Sequence, residues 1–141
     1  MYHRDYFLKL IEEAGRVLHM LFTLRTEKRI PEAMTYLEES FKSLFGIDWD
    51  VVRHTEPEAL PACLREMGLD AERMDLISGL LQEAAHLSFD AANWEESKHY
   101  ARQGLFLHAW LNDNEPGLFS MERAARDAWF EELIAGLGES A

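Results

Sequence analysis

LISGLLQEAAHLSFDAANWEESKHYARQGLFLHAWLN, residues 76–112, contains two amphipathic helices and the turn between them. In the first half Ile77, Leu80, Leu81, Ala84 and Leu87 recur at three- and four-residue steps, the spacing that puts side chains on one face of a helix. Asp70 stands at the N-cap of this helix, which runs to about 90. The second half repeats the pattern through Ser97, Tyr100, Ala101, Gly104, Leu107 and Leu111. Asn93 and Glu96 form a capping pair at its start, with the Glu side chain reaching back to the cap N–H. A turn this short forces the two helices to lie antiparallel.

The same spacing extends in both directions. Phe7, Leu10, Ile11, Ala14, Val17, Leu18, Leu21 and Phe22 mark one side of a helix over about 5–25. Pro31 opens a second helix, which carries Ala33, Met34, Leu37, Phe41, Leu44 and Phe45 inward and stops near Gly46, a C-terminal cap. Residues 47–54 read as a connector whose Trp49, Val51 and Val52 fold over a helix end. Thr55 and Glu58 have capping-box spacing, so a short helix over about 56–67 follows. The breaker run 112–117 precedes a last helix over about 118–135, with Met121, Ala124, Ala125, Ala128, Trp129, Leu133 and Ile134 on its apolar side and a fraying tail beyond. No period-two alternation is long enough to make a strand. The expectation is an all-α chain of about five to six helices, stacked as antiparallel hairpins in a single domain over residues 1–141.

Composition narrows the function classes. At 141 residues and 48% hydrophobic the chain can build one sizeable core. A formal net charge of −12 repels nucleic acid and anionic membranes and favours basic or neutral partners. The lone Cys63 leaves no disulfide framework. The most apolar stretch, 17–24, is far shorter than the ~20 residues of a membrane span, and the N-terminus lacks a signal-peptide layout. A cytoplasmic protein is the expectation. No glycine-rich phosphate loop, G-x-S-x-G or H-E-x-x-H motif occurs, so neither an enzymatic activity nor a cofactor is expected.

Leu81, Ala84, Ala85 and Ser88, followed by Trp94, Ser97, Ala101 and Gly104, have the size pattern of a tetratricopeptide repeat, in which small residues let two helices approach. Ile30, Glu32, Ala33, Leu37 and Ser40 repeat it in the first hairpin. Lys28 and Ala92 stand where the repeat's turn glycine is usual. Together with Arg4-Asp5-Tyr6 and Leu44-Phe45-Gly46-Ile47-Asp48, the chain from about 4 to 113 resembles a family of uncharacterised bacterial proteins with tetratricopeptide-like helices. That resemblance implies a helical-repeat fold with a protein-binding role and no known activity. In the repeat's pattern the groove side of the first helix selects Gln82, His86, Phe89 and Asp90 as the candidate site for a protein or peptide partner.

Two further sets carry expectations. Phe106 and Trp110 lie four apart on a face away from Gly104, and adjacent Trp129 and Phe130 point about 100° apart on a helix. These four make a candidate interface for self-association. Two Glu-x-x-His pairs, Glu83 with His86 and Glu96 with His99, have the spacing used in ferritin-like di-iron sites. A metal-binding protein is therefore the alternative, but solvated helix faces account for these residues more simply, because Glu96 already has a capping role.

Overall fold

The computed structural model describes residues 2–118 and 120–138. Seven α-helices occur among them: α1 (Tyr2–Thr26), α2 (Ile30–Phe45), α3 (Trp49–His54), α4 (Leu60–Glu66), α5 (Ala71–Asp90), α6 (Trp94–Asn114) and α7 (Met121–Gly136). Two 3₁₀ turns, Pro57–Ala59 and Pro116–Leu118, join them, and no strand is found among the described residues. The fold is all-α, with one helix more than expected. None of these helices is long and apolar enough to cross a membrane.

Two hairpins, α1/α2 and α5/α6, form the frame. Helix α5 packs on α1 and α2 as well as on α6, while α7 lies along α6 and touches α5. Buried apolar residues from all seven helices, among them Val17, Leu37, Trp49, Leu64, Leu80, Leu107 and Phe130, join one cluster. The face of α5 is buried as its periodicity predicts, from Met74 and Ile77 through Ala84, Ala85 and Ser88. The Ser97 hydroxyl donates to the Ala85 carbonyl at 2.7 Å, so small residues on both helices bring side chain to backbone. Left-handed backbone at Lys28 (φ 63°) and Ala92 (φ 61°) closes both hairpin turns, a conformation that disfavours any residue carrying a Cβ.

The capping expectations divide. Asp70 accepts from the Arg73 N–H at 2.9 Å, as an N-cap should. Asn93 also caps, but Glu96 does not reach back to the cap N–H. That N–H donates instead to the Ser88 carbonyl at 2.8 Å, and the Glu96 carboxylate takes the Asn93 side-chain amide at 2.5 Å. Thr55 does not open a helix. It ends α3, its hydroxyl donating to the Val51 carbonyl, and the expected helix over 56–67 is a 3₁₀ turn followed by α4.

The connector 47–54 is itself helical over α3. Trp49 is buried edge-on against Phe41 (ring centroids 5.0 Å) and beside Tyr100 (5.5 Å). Its indole N–H donates to the Tyr100 hydroxyl at 3.1 Å, which donates in turn to Glu96 at 2.8 Å. Burial pushes the Tyr100 phenol up to about 12. Gln103, fully buried on α6, donates to the carbonyls of Val52 (2.6 Å) and Thr55 (2.9 Å). Both carbonyls lie at the end of α3, and that of Val52 also accepts from the Thr55 N–H at 3.2 Å.

Helix α7 corrects the sequence reading most. Its buried residues are Arg123, Phe130 and Ile134, while Met121 is broadly exposed and Ala124, Ala125 and Ala128 face solvent. Ile134 is buried and Trp129 and Leu133 pack against the core as the periodicity predicts, but in the first half of the helix Arg123 takes the inner face instead of Met121 and the alanines. Of the tail expected to fray from Gly136, that residue still belongs to α7 and Leu137 caps it, while 139–141 lie outside the described residues.

Candidate functional site

A layer of polar contacts seats α7 on the α5/α6 hairpin. Arg123 pairs with Asp75 at 2.9 Å and donates to Asn112 at 3.3 Å. Arg126 donates to the Ser78 hydroxyl at 2.8 Å, and His108 lies 3.0 Å from Asp127. Below this layer the Phe130 ring enters the space left by Gly104. A Cβ on Gly104 would meet that ring at 2.2 Å. Gly104 therefore serves the approach of α7, whereas the size pattern had assigned it to the approach of α5.

The next turn of α7 brings Trp129 over His86, the two rings stacked at 5.5 Å and 21°. A cavity of about 350 Å³ opens there, lined by His86, Phe89, Trp129, Glu132, Leu133 and Gly136. Phe89 meets Trp94 at 5.1 Å, and both rings are exposed. Asp90 lies 3.6 Å from His86 Nδ1. Of the four expected groove residues, His86 and Phe89 line the cavity and Asp90 adjoins it. Gln82 is half-buried one turn earlier and contributes no lining. Trp129, Glu132 and Leu133 were missing from the groove reading because nothing in the sequence fixed how α7 docks.

The four residues expected to form an interface do not share a surface. Phe130 is fully buried, Trp129 covers His86, and Trp110 lies under the Arg65 guanidinium at 4.9 Å. Only Phe106 of the four stays broadly open, at 44% exposure. The two Glu-x-x-His pairs are likewise separated. Glu83 pairs with Arg25 at 3.3 Å, Glu96 serves Asn93 and Tyr100, His86 stacks on Trp129, and His99 packs beside Tyr100. Among the described residues no three His, Cys, Asp or Glu side chains come together as a metal-binding group.

His108 is almost wholly buried. Burial pulls its pKa below 6.5, although the Asp127 carboxylate opposes this. Burial wins because Asp127 is itself 37% exposed and water weakens its field. Above pH 6.5 the imidazole is neutral in both states and contributes no penalty. As pH falls below 6.5 the unfolded chain takes up the proton first, so stability declines until the lowered folded value is passed. Urea unfolding across this range should show that decline, and His108→Gln should flatten it.

Comparison with known proteins gave no matching family model, no matching curated protein and no matching solved structure.

Proposed function

We propose that this chain is a non-catalytic interaction domain of tetratricopeptide-like type, an adaptor that holds a basic, partly apolar peptide segment of a protein partner. The observation that carries this reading is the cavity edge at His86, Phe89, Trp129 and Leu133, an aromatic and aliphatic surface with Glu132 in its wall and Asp90 beside it. Exposed aromatic faces attract Lys and Arg side chains through the ring quadrupole, and adjoining carboxylates strengthen that preference. The net charge of −12 adds long-range attraction for the same partners. The repeat-like reading draws support from the two hairpins, from the Ser97–Ala85 contact and from left-handed turns at Lys28 and Ala92.

Selection from a random peptide library displayed on phage tests the proposal. Enriched sequences should place Lys or Arg next to an aromatic or aliphatic residue. Their binding should weaken about tenfold or more with Phe89→Ala or Glu132→Lys, as expected for losing one anchor or reversing one charge. Phe106→Ala, away from the cavity, should leave it unchanged. Failure to enrich any motif, or enrichment of acidic peptides, would overturn the reading.

A further inference from the structure

Helix α1 carries more apolar surface than the fold uses. Leu10, Ala14, Val17, Leu21 and Leu24 are buried against the core. A second stripe, Leu8, Ile11, Gly15, Leu18 and Phe22, recurs at alternating three- and four-residue steps about 110° around the helix. Leu8, Ile11 and Phe22 are 48%, 39% and 51% exposed. Leu18 is half-buried, and a Cβ on Gly79 of α5 would meet it at 3.7 Å. Beside Leu8 and Ile11 a crevice of about 740 Å³ separates the first half of α1 from the start of α5. Nothing lies within 4 Å of the point where a Gly15 Cβ would stand, so another helix can approach closely at the middle of the stripe.

We propose that this stripe binds the same stripe of a second copy, with the two α1 helices antiparallel about a twofold axis beside Gly15. That axis sets Leu8 against the second copy's Phe22, Ile11 against its Leu18, and glycine against glycine. A twofold contact must be self-complementary, and Glu12, Arg16 and His19 along the stripe's exposed flank fit an antiparallel pairing. Asp5 and Glu12 occupy the flank in the first half of α1, and Arg16 and His19 follow in the second. Antiparallel pairing sets each Glu12 between the Arg16 and His19 of the other copy. Parallel pairing about a twofold would put this flank on opposite sides of the two helices, so that these charges would not meet. This contact is independent of the cavity on α5 and α7, and the surface differs from the one expected around Phe106 and Trp110.

Sedimentation velocity of the full chain at micromolar to submillimolar concentration should show a dimer. Phe22→Glu and Leu8→Glu should each weaken dimerisation about tenfold or more with unchanged helical circular dichroism. In a Cys63→Ser background, Gly15→Cys should oxidise readily to a disulfide-linked dimer, because the twofold brings its Cα atoms within bridging distance. Met20→Cys, on the opposite side of α1, should not. A wild-type chain that sediments as a monomer throughout overturns the proposal. So does a dimer that Phe22→Glu leaves intact and Gly15→Cys fails to cross-link. The wild-type and cysteine measurements decide the matter even if a glutamate variant misfolds.

Discussion

Gly104→Ala is expected to destabilise the protein by about 1–3 kcal/mol, the usual cost of overpacking, against the normal gain of about 1 kcal/mol when a helix-interior glycine becomes alanine. The added methyl carbon would stand 2.2–2.8 Å from three atoms of the Phe130 ring, well inside contact distance. Neither side has room to give. Phe130 is fully buried, and α7 is held in place by Arg123 and Arg126 on either side of the layer above the ring. Phe130→Ala alone should cost about 3–5 kcal/mol by opening a cavity. Combining the two should cost less than their sum, because the new methyl fills part of the space the ring vacates. Chemical denaturation of the two single variants and the double variant measures this coupling. A Gly104→Ala protein as stable as wild type would show that the ring does not sit in the notch.

Gln103→Leu should cost about 1–3 kcal/mol, since it keeps the side chain's bulk but strips the Thr55 carbonyl of its side-chain donor and leaves the Val52 carbonyl with the Thr55 N–H alone. The buried amide of Gln103 serves Val52 and Thr55 together. Leucine cannot donate, and the fully buried Val52 keeps only the 3.2 Å bond from the Thr55 N–H. The loss should be local as well as global. Amide hydrogen exchange should quicken in α3 and the following turn well before it quickens in α5, whose contacts are untouched. Equal acceleration in both helices would contradict this account of how α3 is fastened.

Much of the frame is legible in the sequence because α2, α5 and α6 obey one simple rule. Their apolar residues repeat at helical spacing and that face is the buried one, as Leu37 and Phe41 or Leu80, Leu81 and Ala84 show. Where polar groups do the packing, the rule fails. Arg123 is 2% exposed on the inner face of α7 while Met121 is 79% exposed, because an arginine satisfied by Asp75 and Asn112 can be buried where periodicity expects an alanine. Residues 47–54 bury Trp49 and Val52 as expected, but their helical conformation is hidden in the sequence for a related reason. Six residues are too few to display a helical period, and the stability of α3 comes from partners about fifty positions away. The candidate site shows both effects. His86 and Phe89 followed from their place on α5, but Trp129 and Glu132 depend on the docking of α7, which charges and a glycine notch determine.

The tie between Trp49 and Tyr100 has a consequence for how the chain reaches this structure. Each hairpin joins neighbours across a turn of a few residues, so its closure confines little chain and forms quickly. The Trp49 indole meets the Tyr100 hydroxyl across 51 positions, and that meeting must wait for a much longer loop to close. By then α5 and α6 already present the surface on which α3 lands. Sequence separation therefore predicts an order of assembly, with two hairpins first and then the insert between them, fastened last by one indole and one amide.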